Sequence, residues 1–192
     1  MSDDASGVPA DPAPFEPFEL ASTERIYDSR WVGLRRDMLR LDDGQLQEHH
    51  VVEVSDAACV VPVRTDGRIV LIGQLRHTHG GTHWEVPAGR LEPGEEPLTC
   101  AGRELTEETG HVAGAIAPLP GFYTCNGISD HWIHPFLATG CEPSGEQRLD
   151  PSERLIVETF SVDEVEAMLR AGTIRDGLSL IALFQALPRL GR

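Results

Sequence analysis

The stretch from residue 89 to 110, GRLEPGEEPLTCAGRELTEETG, carries more acidic side chains at helical spacing than a fold requires, and it constrains the chain more than any other feature. Gly89, Pro93 and Gly94 interrupt regular structure, Pro97 suits a first helical turn, and Gly110 is placed to end a helix in a left-handed cap. The reading is a loop followed by about three turns of helix. On a 3.6-residue period Leu98, Ala101 and Leu105 form the docking stripe, and Glu104, Glu107 and Glu108 share a neighbouring face. Carboxylates this close repel by about 3 kcal/mol per pair at roughly 6 Å and an effective dielectric near 20, and the helix dipole disfavours anions near its C-terminal end. A hard divalent cation offsets that cost: Mg²⁺ takes oxygen ligands, keeps several waters and bridges to substrate phosphates. Arg103, four residues before Glu107, can hold part of the cluster in place. A solvated acidic face is the competing reading for an isolated run of this kind, but here the run is joined to a glycine-rich loop.

The 192 residues make one domain, or one domain with a small appendage, with a single core. Sixteen basic against 31 acidic residues give a net charge of −15, which repels polymeric nucleic acid. Small anionic substrates stay open, because a bound metal and a few arginines reverse the field locally. Cys59, Cys100, Cys125 and Cys141 show no CxxC spacing and read as reduced, buried thiols of a cytoplasmic protein. No apolar stretch reaches the roughly 18 residues of a membrane helix. Residues 1–17 read as a disordered acidic tail rich in proline and alanine.

Residues 18–52 read as two or three strands, with Asp42, Asp43 and Gly44 at a hairpin turn, forming a small arm suited to dimerisation. Arg30, Arg35 and Arg36 are conspicuous in so acidic a chain; Arg35 and Arg36 are candidate substrate contacts, although strand arginines are often simply solvated. Residues 53–192 form the main domain. There AACVVPV (57–63) and RIVLIGQLR (68–76) read as central strands buried on both faces, with Gln74 and Arg76 at the end of the second. His77, His79 and His83 lie on a glycine-rich loop without a nearby cysteine, and read as the rim of a pocket rather than a zinc site. LPGFYTC (119–125) and WIHPFLAT (132–139) read as strands. SVDEVEAMLRAG and DGLSLIALFQAL read as closing helices capped by Ser161 and Asp176.

The stretch from Gly89 through Glu95 to Arg103, Glu104, Leu105, Glu107, Glu108 and Gly110 resembles the signature of the Nudix hydrolases. His111 stands where an aliphatic residue is usual, a contact that Val112 can supply. GQLR (73–76), WEVPAG (84–89), YTCNGISDHWIHPFLA and AGTIRDGLSLIAL extend the likeness to the ADP-ribose pyrophosphatase group. The resemblance implies an α/β (α+β) fold, an α/β/α sandwich around a mixed sheet with a small N-terminal sheet arm. It also implies Mg²⁺-dependent hydrolysis, with Mn²⁺ as an alternative ion, of a nucleoside diphosphate sugar, ADP-ribose giving AMP and ribose 5-phosphate. By the same carry-over Glu104 and Glu108 bind metal, with Glu107 and the Ala88 carbonyl. Arg76 meets the diphosphate, Gln74 lies beside it, and Trp84 either flanks the base or packs the core. The general base comes from the loop before the late strand RLIVETF (154–160), where Glu142, Glu146 and Glu153 stand; Glu153 fits best and Glu146 next. A homodimer is part of the implication. Asn126–Gly127 and Asp130–His131 depart from the group's post-helix loop, so another nucleotide (GDP-mannose, a dinucleotide, a nucleoside triphosphate) is the alternative substrate. A non-catalytic ligand sensor is the alternative class.

Overall fold

The computed structural model describes residues 15–145 and 147–191. Most of the 1–17 tail, and Glu146, therefore lie outside the described residues. An antiparallel sheet comes first: β1 (Glu19–Asp28), β2 (Gly33–Arg40) and β3 (Leu46–Glu53), in the order β1-β2-β3. The 42–44 turn forms as expected. Gly44 takes φ +83°, and the Leu41 N–H meets the Gln45 carbonyl at 2.9 Å.

The main sheet is mixed and is built on β4 (Ala57–Arg64). β4 pairs parallel with β11 (Trp132–Pro143) and antiparallel with β5 (Ile69–Arg76) and β7 (Ala88–Arg90). β6 (Gly81–Glu85) and β12 (Leu155–Phe160) flank β5, both antiparallel. The short strands β8 (His111–Val112), β9 (Ala115–Pro118) and β10 (Phe122–Tyr123) pair with β11. Helix α1 (Pro97–Thr109) covers one face; α2 (Val162–Arg170) and α3 (Gly177–Ala186) cover the other.

Side chains alternate along β4, and that alternation makes two cores. Ala58 and Val60 pack with Cys100, Ala101 and Leu105 of α1, while Cys59 and Val61 pack with Val165 of α2 and Ala182 and Leu183 of α3. A strand buried on both faces reads as an unbroken apolar run, which is what the sequence 57–63 is. The N-terminal sheet joins this body at Val52. Its N–H donates to the Ile128 carbonyl at 2.7 Å, and its carbonyl accepts the Ser129 hydroxyl at 2.7 Å.

Several local expectations are corrected. The span 119–125 is not one strand: Leu119, Pro120 and Gly121 separate β9 from the two-residue β10, and Trp132 lies so close to Gly121 that a Cβ there would meet its ring at 2.4 Å. Leu98 is half exposed, and Cys100 takes its place in the docked face of α1. His111 is itself buried, its Nδ1 2.9 Å from the Thr109 carbonyl, while Val112 is exposed, so Val112 does not supply the aliphatic contact. Three of the cysteines are buried, but Cys125 is exposed on the 124–131 loop.

Candidate active site

Helix α1 starts at Pro97 and ends at Gly110, whose φ of +68° is the left-handed cap the sequence predicts; its N–H returns to the Thr106 carbonyl at 2.8 Å. The docked face of this helix includes Glu104 and Glu108 alongside Cys100, Ala101 and Leu105. Both carboxylates press against β7. The backbone there comes so close that a Cβ on Gly89 would stand 1.9 Å from Oε1 of Glu104, so any larger residue would displace that carboxylate. Next to it the Ala88 N–H donates to Oε2 of Glu108 at 2.9 Å.

Arg103 organises the rest of the acidic cluster. Its Nε and Nη2 meet the two oxygens of Glu95 at 2.8 and 2.9 Å, and its Nη1 reaches Glu104 at 2.6 Å and Glu107 at 3.0 Å. This fork holds the Glu95 carboxyl down to about 2. Glu104 is raised, first by burial and against the pull of Arg103. Glu108 is pushed up to about 8 because burial strips its water, with Glu104 and Glu153 adding repulsion and the Ala88 N–H opposing.

A cleft of about 800 Å³ opens over these groups. Gln74 and Arg76 line it from the end of β5, Glu104, Glu107 and Glu108 from α1, and Glu153 from the loop before β12. Arg76 forms a two-point pair with Glu85, a buried residue of β6, at 3.0 and 2.5 Å. The loop carrying Glu153 is tied to the end of α1: the Arg148 N–H donates to the Glu107 carbonyl at 2.9 Å, and Nε2 of Gln147 to the Glu108 carbonyl at 2.6 Å. Glu153 closes its own turn, accepting the Asp150 N–H at 2.8 Å.

The structure thus gathers Gln74, Arg76, Ala88, Arg103, Glu104, Glu107, Glu108 and Glu153 into one cleft. Four candidates stand elsewhere. Trp84 is not among the residues lining the cleft; it packs on the core, edge-on to Phe160 at 5.0 Å, because alternation along β6 turns it inward. Arg35 is spent within the N-terminal sheet on Asp37 at 3.0 Å and Glu53 at 2.7 Å, and Arg36 pairs there with Glu24 and Glu48. Glu142 bonds Thr65, also away from the cleft. Two functional candidates escaped the sequence reading. Glu85, the partner of Arg76, was detectable as a carboxylate between Trp84 and Val86 in a buried strand. Trp31, half exposed on the β1–β2 turn with Arg90 5.1 Å from its ring, lines the cleft but carries no local sequence signal.

A metal ion fits this donor set. The Glu108 side chain is buried and, among the described residues, has one peptide N–H as its hydrogen-bond partner and no ion-paired cation, a cost that a bound cation would remove. Among the described residues no three His, Cys, Asp or Glu side chains already stand together as a preformed metal cage. No helix of the described residues is long and apolar enough to cross a membrane.

Comparison with known proteins gives the family and the fold. A family model described as NUDIX domain matches residues 54–179. The chain is 31% identical to an ADP-ribose pyrophosphatase of Bacillus subtilis (strain 168), over 83% of this chain and 87% of that protein. It is 38% identical to an ADP-ribose pyrophosphatase of Mycobacterium tuberculosis (strain ATCC 25618 / H37Rv), over 85% of this chain and 80% of that one. A crystal structure of an ADP compounds hydrolase superposes with a TM-score of 0.81 at 19% identity, covering 93% of this chain and 97% of the other, a likeness of fold.

Proposed function

The chain belongs to the NUDIX domain family, and we propose that this hydrolase cleaves the diphosphate of a nucleoside diphosphate sugar, ADP-ribose giving AMP and ribose 5-phosphate. The observation that carries the reading is the buried pair Glu104 and Glu108 on one wall of a cleft that Arg76 and Glu153 also line. The family typically works with a divalent metal. Glu104 and Glu108 would hold it, with Glu107 and the Ala88 carbonyl, and Mg²⁺ suits these oxygen donors, Mn²⁺ being the alternative. When bound, such an ion neutralises charge on phosphate oxygens and lowers the pKa of a water it holds.

The protein's own groups supply the rest. Arg76, oriented by Glu85, binds the diphosphate through charge-assisted hydrogen bonds. Glu153 takes a proton from the attacking water, for which it needs an approach of about 3 Å. The water oxygen forms a bond to one phosphorus, and the bridging P–O bond breaks toward the other phosphate. Trp31, half exposed at the cleft with the Arg30 and Arg90 guanidinium groups 4.3 and 5.1 Å from its ring, offers an aromatic wall for a nucleobase. We also propose a homodimer formed through the N-terminal sheet, and a cytoplasmic location, which suits four free thiols.

The test is AMP release from ADP-ribose with Mg²⁺. Wild type is expected to be active, and Glu108→Gln to lose at least about 100-fold in kcat, the scale of a lost electrostatic contact in a reaction centre. Cleavage of another nucleotide in a panel but not of ADP-ribose would reassign the substrate. Binding without cleavage of any would make the chain a ligand sensor, a reading the full set of glutamates disfavours.

A further inference from the structure

Ser179 is fully buried, and its hydroxyl is engaged in both directions. It donates to Oδ2 of Asp176 at 2.7 Å and accepts the Val86 N–H at 3.0 Å. The Ser179 N–H also donates to Asp176 Oδ2, at 2.8 Å, and this bond alone caps α3. The bond to Val86 leaves the helix and ends on the segment that joins β6 to β7.

That segment is short and consequential. Glu85 precedes Val86 and grips Arg76; Ala88 follows Pro87 and gives its N–H to Glu108. Val86 and Pro87 lie outside any strand, and Pro87 has no N–H to contribute. The Pro87 carbonyl accepts the Val60 N–H at 3.0 Å, which fixes the segment to β4, and Ser179 fixes it to α3. A buried peptide N–H has to find an acceptor. Without the Ser179 hydroxyl, the Val86 peptide turns toward another acceptor or toward water and carries both neighbours with it.

We propose that Ser179 is a positioning residue. Through the Val86 N–H it sets the spacing between the Arg76–Glu85 pair and the Ala88–Glu108 end of the carboxylate wall. The inference rests on the hydrolase reading above for its kinetic meaning, and on the hydrogen bonds alone for its structural one.

The experiment compares Ser179→Ala, Ser179→Thr and Ser161→Ala, the last removing the N-cap of α2, which does not touch the cleft. In folded Ser179→Ala, kcat for ADP-ribose is expected to fall about 10- to 100-fold, the scale of a small misplacement of reacting groups, with KM rising less than kcat falls. Ser179→Thr, which keeps the hydroxyl, restores most of the loss, and Ser161→Ala lowers Tm with kcat unchanged. Amide hydrogen exchange gives a readout independent of activity: the Val86 and Ala88 amides are protected in wild type and exchange faster in Ser179→Ala. Wild-type kcat in folded Ser179→Ala overturns the proposal, as does a folded Ser179→Thr as impaired as the alanine variant. If Ser179→Ala does not fold, wild-type exchange at Val86 decides, and exchange as fast as in surface loops overturns the proposal. If wild type cleaves no diphosphate, the hydrolase reading fails, and amide exchange together with the Mg²⁺ affinities of wild type and Ser179→Ala decides this one.

Discussion

Glu108 is 2% exposed, and its carboxylate accepts one hydrogen bond. In the metal-free protein its pKa, raised from 4.5 to about 8 by burial, makes folding take up a proton between those values. For an acid shifted upward, the stability contribution is intact below the unfolded value and is lost as pH rises through the folded one. Metal-free wild type should therefore weaken relative to Glu108→Gln from about pH 4.5 to 8, by a few kcal/mol at about 1.4 kcal/mol per pKa unit. Urea unfolding of both proteins across that range checks this, and a wild-type slope no steeper than that of the variant refutes it. Mg²⁺ should remove most of the difference. Gly89→Ala is expected to push Glu104 off β7 and lower kcat by about 100-fold with the fold intact, read by kcat beside circular dichroism. At this scale Glu104, Glu107 and Glu108 were legible because their spacing is local. Of the two readings of Trp84 the core one holds, since strand alternation turns the indole inward, whereas Trp31 was not legible, being brought in by a turn more than 50 residues away from the carboxylates.

Helix α1 was legible at both ends, since proline and glycine act through their own backbone. Its buried face was not. The apolar stripe omitted Cys100 and included Leu98, because two of the docked positions are carboxylates and a hydrophobic period cannot register them. Strands β8 and β9 were also missed, being two to four residues long and defined by β11 rather than by their own pattern. The end of α1 does more than stop the helix. The Gly110 carbonyl accepts the Ser144 N–H at 3.0 Å, and a Cβ on Gly110 would meet the Gly145 carbonyl oxygen at 2.8 Å. Gly110→Ala should thus destabilise by about 1–2 kcal/mol for the left-handed conformation, lowering Tm by about 5 °C. It should also lower kcat, because the displaced loop carries the proposed base Glu153. A Tm loss without any kcat loss would show that the loop moves independently of the helix.

The whole molecule pairs a sheet with two covered faces and a sheet that is largely uncovered. β1 is exposed at all ten positions, Leu20, Ile26 and Tyr27 included, and lies at the edge of its sheet. A long exposed edge with apolar side chains invites pairing, and a two-fold axis closes such pairing in a dimer. Sedimentation velocity should give about twice the 21.0 kDa of one chain, and Ile26→Asp should shift the protein toward the monomer. A wild-type monomer would remove the proposed dimer. The same arm delivers Trp31 to the reaction cleft. If the proposed dimer and the proposed reaction both hold, shortening the chain at its start to free one copy from another would also strip an aromatic wall from the cleft, and quaternary structure and turnover should change together in any variant that loses the arm.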